Sequence, residues 1–229
     1  MYFFKKRIKS DYEKEFLEAL NFSKKELNVK IPFKFSQKKI LSDNASLEIS
    51  NAIFKEYGDI NFKEFFSANC ATVNCLMFDF LKKFCGHDIY YTIGYLADKV
   101  KKNKNGEKLL LFNEDKKKII EYIKGDMVRI GNPEDFKMNI HVWVTLPSME
   151  IIDLTLSTSL SNIPYFYGKE QTGRIIAGYP WNKNNDFEYH PQVIVPSNKI
   201  LNLAHKINSI NTFSYYQFVN MPKKKKKHD

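Results

Sequence analysis

Arginine is nearly absent from this basic chain. Of 36 basic residues, 33 are lysine, and the net charge is +10. Proteins that read phosphates and bases favour arginine, whose planar fork binds bidentately. The shortage argues against specific nucleic-acid recognition. Cysteine is also scarce: Cys70, Cys75 and Cys85 cannot all pair with one another. Two of them fall on one apparent helix, so no disulfide framework is expected and a reducing compartment fits. No apolar run approaches the 18 residues a membrane-spanning helix needs. The opening "MYFFKKRIKS" places charges straight after four apolar residues, the reverse of a signal peptide. A cytoplasmic protein is the expectation. No internal repeat is visible. What the chain does have is 229 residues, 43% of them hydrophobic and 15% aromatic, enough for a sizeable core.

The chain opens with helices. "SDYEKEFLEALNF" begins with a capping box, Ser10 to Glu13, followed by Tyr12, Phe16, Leu17 and Leu20 at helical spacing. "NASLEISNAIFKEYG" predicts a second helix ending at Gly58. Residues 1–60 are therefore read as a helical extension packed on a main domain spanning 61–221. "NCATVNCLMFDFLKKFCG" predicts one strong helix, with Val73, Leu76, Met77, Phe80, Leu81 and Phe84 on a broad apolar face. "DIYYTIGYL" then reads as a strand. Residues 98–138 break the pattern and are read as an insertion: a polar loop or strand tip, a short helix in "EDKKKIIEYIKG" and a turn at "GNPED". "NIPYFYGKEQTGRIIAGYPWNKNNDF" reads as mostly loop. "YHPQVIVP" predicts an edge strand with Pro191 and Pro196 near its limits. A last helix in "NKILNLAHKINSI", a strand in "TFSYYQFV" and a basic disordered tail at 222–229 complete the expectation. The fold class is α+β.

Three residues carry the chemistry. A cysteine at a helix start meets free N–H groups and the positive end of the helix dipole, both of which favour the nucleophilic thiolate. Cys70 holds that position, and its own N–H is free for an oxyanion. Cys75 lies roughly 140° round the helix at about 100° per residue, in mid-helix near Asp79. Cys85 sits at the C-terminal end, where it reads as a packing residue. Downstream, "NIHVWVTLPSMEIIDLTL" predicts a hairpin whose strands each carry an ionisable group. His141, Trp143 and Thr145 share one side of the first strand; Ile151, Asp153 and Thr155 share one side of the second. A three-residue connection puts His141 and Asp153 on the same face, whereas a two-residue loop puts them on opposite faces. On the same face, Asp153 orients His141 and leaves the other ring nitrogen for a thiol.

The stretch "NCATVNCLMFDFLKKFCGHDIYYTIGYL" followed by "HVWVTLPSMEIIDLTL" resembles the transglutaminase-like superfamily. The resemblance rests on a cysteine opening a helix, a glycine turn into a strand, a His-x-Trp strand and a strand with Asp before Thr. Cys70, Gly86, His141 with Trp143, and Asp153 with Thr155 fall on those positions, within residues 60–160. It implies a papain-like fold, with a catalytic helix packed against an antiparallel sheet, and acyl transfer by a Cys70–His141–Asp153 triad. Cys70 would attack an amide or ester carbonyl, His141 would move the proton and Asp153 would orient His141. The substrate would be a protein or peptide amide, or a small amide or ester, resolved by water or an amine, with no cofactor. Asn69 and Trp143 are candidates for oxyanion or substrate contact.

Three other readings compete. Cys70, Cys75, Cys85 and His87 match no common zinc spacing, so no metal is expected. A catalytically inactive scaffold on the same fold is the alternative to an enzyme. Lys223–Lys227 would touch an anionic surface if the tail binds at all, or would serve as a solubilising tail.

Overall fold

The computed structural model describes residues 10–58, 70–124, 139–161, 173–183, 185–196 and 199. Along the chain, the described elements are α1 (Asp11–Leu27), α2 (Ala45–Tyr57), α3 (Cys70–Leu76), α4 (Phe78–Cys85), β1 (Tyr90–Lys102) and β2 (Lys108–Leu111). They continue with α5 (Lys116–Lys124), β3 (His141–Thr145), β4 (Ile151–Asp153), α6 (Leu156–Ser161), β5 (Ile176–Gly178) and β6 (Phe187–Val195).

The fold is α+β, built on a curled antiparallel sheet. β1 is its spine. Along one edge it pairs first with β3 and then with β2; along the other it pairs with β6 over residues 91–98. β4 and β5 extend the sheet beyond β3. Among the described residues β6 pairs only with β1 and so forms an edge. Helices cover both faces. Ile49, Ile53, Val73, Met77 and Leu81 pack on Val144, Ile152 and Leu154. Tyr12, Phe16 and Leu20 of α1 pack on Trp143, Ile151 and Tyr189 on the opposite face. A third cluster joins Ile119, Ile120 and Ile123 of α5 to Tyr91, Ile93 and Val142. Faces alternate strictly along β3 and β4, as a pleated strand with both sides covered requires.

Local signals account for many boundaries. Ser10 caps α1 by accepting from Glu13 N at 3.1 Å, and Gly58 follows α2 with a positive φ. The helix expected over 70–85 is broken at Met77, which leaves α3 and α4 as two short segments. Phe84 is exposed rather than packed on the apolar face. β5 lies inside the segment read as loop. β6 starts earlier than expected, so Pro191 falls in mid-strand, opposite Gly94, where the register shifts. That shift is a bulge: it turns Phe187 and Tyr189 toward α1 while Val193 and Val195 face α5. Pro191 is tolerated because its strand is an edge and bulged there. The 98–138 segment is more than surface decoration, since it supplies β2 and the buried isoleucines of α5. Only glycine fits at position 94. An added Cβ would stand 2.0 Å from the His190 carbonyl oxygen and 2.7 Å from the Trp143 ring.

The expected "GNPED" turn, the aromatic run at 165–167, the last helix and strand, the Lys223–Lys227 tail and Asn69 lie outside the described residues.

Candidate functional site

The site is assembled at the start of β3, where α3, β4 and β6 meet. The β3–β4 hairpin decides its geometry. Thr145 pairs with Ile151, and Leu146 N donates to Glu150 O at 2.8 Å, so Pro147, Ser148 and Met149 form a three-residue connection. Met149 N closes the turn onto Leu146 O, and Met149 takes the left-handed conformation with φ 70°. This matches the three-residue hairpin built from a tight turn followed by a left-handed residue. Register therefore stays even, and His141 and Asp153 lie diagonally on one face.

They meet closely. His141 Nε2 is 2.6 Å from Asp153 Oδ2, and the two side chains are 1% and 0% exposed. Asp153 is also fixed from its other side. Its Oδ1 accepts from the backbone N–H groups of Thr155 and Leu156, each at 3.0 Å, which caps the start of α6. Tyr189 of β6 donates its hydroxyl to Oδ2 at 3.0 Å.

Aromatic rings box in the imidazole. Phe112 stacks on it at 5.1 Å, and Trp143 lies at 6.0 Å. Phe112 holds φ 61°, an uncommon backbone for a bulky residue. Trp143 is anchored in turn: its Nε1–H donates to Tyr12 OH at 2.8 Å, and that hydroxyl meets Thr145 Oγ1 at 2.7 Å.

Cys70 opens α3, and the helix start is pinned to the sheet. Tyr91 donates its hydroxyl to Ala71 O at 2.5 Å. The Asn74 amide donates to Cys70 O at 2.8 Å and to Val142 O at 3.0 Å, tying α3 to β3. Cys70 Sγ rests 3.7 Å from the carbonyl oxygen of Ile140, the residue before His141. The thiol is close enough to the His141 ring to add to the rise in its pKa. Because Nε2 is engaged by Asp153, Nδ1 is the nitrogen left for it.

The electrostatics follow from this packing. Burial by itself would lower the His141 pKa. The Asp153 charge and hydrogen bond, then the Cys70 thiol, outweigh it and push the pKa up to about 10. Burial would raise the Asp153 pKa, but the His141 charge, the His141 hydrogen bond and the two backbone N–H groups hold it below the ordinary carboxylate value. The other two cysteines are shifted away from reactivity. Burial, with Asp79 adding, raises the Cys75 thiol to about 11, and burial, with Glu150 adding, raises Cys85 to about 12. Cys75 is packed against the α5 cluster, and Cys85 against the α2–α4 cluster.

Cys70, His141, Asp153 and Trp143 thus come together in one place. Among the described residues, no three His, Cys, Asp or Glu side chains are arranged to hold a metal ion. No described helix is long and apolar enough to cross a membrane. His87 is exposed. His190, which had no evident partner in the sequence, is 3.0 Å from Glu15 of α1 and stacks on Tyr95. A cavity of about 580 Å³ opens beside that pair, lined by Glu18, Phe22 and Gln192 among others, and by no member of the Cys70 site. Tyr189, Phe112 and Tyr12 were not foreseen as part of the site. They come from distant segments, and no local spacing links them to it. No protein-family model, curated protein or solved structure matches the chain.

Proposed function

We propose that the protein is a cysteine-nucleophile acyl-transfer enzyme acting on an amide or ester, with Cys70, His141 and Asp153 as its triad. The observation that carries this reading is a buried His141–Asp153 pair, 2.6 Å apart, within reach of a thiol at a helix start. In the proposed cycle His141 already holds the proton given up by Cys70 on Nδ1, as an imidazolium, as its raised pKa favours. The sulfur attacks the carbonyl carbon, a C–S bond forms, and the carbonyl oxygen becomes an oxyanion facing the free N–H groups that open α3. His141 then gives its proton to the leaving nitrogen or oxygen, that bond breaks and a thioester remains. Water or an amine attacks the thioester, His141 takes the incoming proton, and Cys70 leaves. Asp153 stays ionised throughout, orienting the ring and balancing its charge. The papain-like, transglutaminase-like arrangement, a cytoplasmic setting and a peptide amide or small amide or ester as substrate belong to this same reading.

Iodoacetamide labelling across pH, with the modified cysteine mapped by mass spectrometry, tests it. Cys70 is expected to label well below about pH 8, where an ordinary thiol is mostly protonated. Cys75 and Cys85 are expected to stay unlabelled there, because their thiols are raised to about 11 and about 12. His141→Ala should move the Cys70 profile to higher pH. Equal labelling of all three cysteines, with an ordinary thiol profile, would instead leave an inactive scaffold.

A further inference from the structure

We propose that Tyr189 is a positioning residue for the triad, holding Asp153 in one orientation and in its ionised form. This rests on the acyl-transfer reading. A carboxylate has about four lone-pair sites, and Asp153 has four donors: His141 Nε2 and Tyr189 OH on Oδ2, and the Thr155 and Leu156 N–H groups on Oδ1. With every site used, the carboxylate cannot rotate without breaking bonds. Without Tyr189, Oδ2 would answer to His141 alone.

Tyr189 suits this task. It is 3% exposed, and burial together with the Asp153 charge and hydrogen bond raises its pKa well above the ordinary phenol value. Its hydroxyl therefore remains a donor over the whole working pH range. Each donor to the carboxylate favours the charged form, so the shared proton stays on the imidazole rather than moving to Asp153. Its ring meets Trp143 edge-on at 5.2 Å, a contact phenylalanine would keep. The hydroxyl is what Tyr189 adds beyond packing. It reaches Asp153 because the Pro191–Gln192 bulge sets the face of β6 on which Tyr189 lies.

The test compares Tyr189→Phe with wild type in the pH profile of Cys70 alkylation by iodoacetamide. The expected result is an upward shift of the low-pH limb by about half a pH unit or more. Tyr90→Phe is the matched control: it removes a phenol hydroxyl from the same apolar cluster, bonded to the Pro32 carbonyl and to no member of the site. It should lower the melting temperature and leave the profile in place. A Tyr189→Phe profile that superimposes on a wild-type profile still sensitive to His141→Ala overturns the role of Tyr189 and spares the triad. An equal shift in Tyr90→Phe also overturns it, since any hydroxyl of that cluster would then do. A wild-type profile indifferent to His141→Ala removes the triad reading, and this proposal with it. If Tyr189→Phe melts near the assay temperature, the downfield His141 Nε2–H proton resonance, recorded in the cold, replaces the profile. It should shift in the variant, and an unmoved resonance overturns the proposal.

Discussion

The two halves of the site are built differently. His141 and Asp153 stand on a wall of sheet where the carboxylate has four donors and the imidazole is stacked between aromatic rings. Cys70 stands at the end of a short helix, half-buried, with its sulfur in one long contact to a carbonyl oxygen. Near it, Thr72 Oγ1 and Asn74 Oδ1 are buried without a hydrogen-bond partner. On the wall the polar groups around the carboxylate are matched, with Thr155 Oγ1 the exception, and the helix end keeps more of its hydrogen-bonding capacity unused. The difference fits the division of labour in the proposed acyl transfer. A base and its orienter work best when immobile, whereas a nucleophile must exchange partners as the C–S bond forms and breaks.

Truncation on the two sides should have unequal costs. Asp153→Ala strips the partner from a buried imidazole, a phenol and two backbone N–H groups. It is expected to destabilise by about 3–5 kcal/mol. Cys70→Ala removes a half-buried sulfur with one weak bond and should cost about 1 kcal/mol or less. Urea unfolding of the two variants measures the contrast; equal losses would end it.

A smaller effect separates the wall's stability from its chemistry. Tyr12→Phe leaves Trp143 Nε1–H buried without its acceptor and should cost about 1–3 kcal/mol. It touches neither His141 nor Asp153 and reaches them only through Trp143, so the labelling profile should move less than in Tyr189→Phe.

A further contrast lies in the pH dependence of stability. The His141 pKa is raised in the folded state, so its contribution is fully present below about 6.5 and is lost as pH rises toward about 10. The Asp153 pKa is lowered, so its contribution is present above about 4 and is lost as pH falls through the folded value. Stability should be greatest between those limits. In Cys70→Ala the alkaline decline should persist, because the Asp153 charge ranks ahead of the thiol among the causes that raise the His141 pKa. A decline that vanishes with Cys70 would move the electrostatic weight from the wall to the helix.

Much of this was legible locally. Ser10 as a cap, Gly58 as a stop, a helix opening at Cys70 and the odd-length connection through Pro147 and Met149 are short-range features with short-range causes. The hairpin is the clearest example: one loop length places His141 and Asp153 on the same face. Other features were hidden because they depend on long-range packing. The break at Met77 interrupts a stretch whose helical periodicity runs straight through it. β5 is three residues long and is a strand because β4 offers it an edge. Tyr189 sits 36 residues from Asp153, and Tyr12 sits 131 residues from Trp143.

Alternation and capping in the sequence determined which residues could share a face: His141 with Trp143, and Asp153 with Thr155. These patterns are set by the pleat and by turn length, so they need no knowledge of the rest of the chain. The tertiary structure decided what stands opposite those faces. It put the Cys70 sulfur near one side of His141, closed the Asp153 carboxylate with a tyrosine from a bulged edge strand and covered the imidazole with Phe112. Those partners come from separate elements, and burying apolar surface on both sides of one sheet is what brings them together.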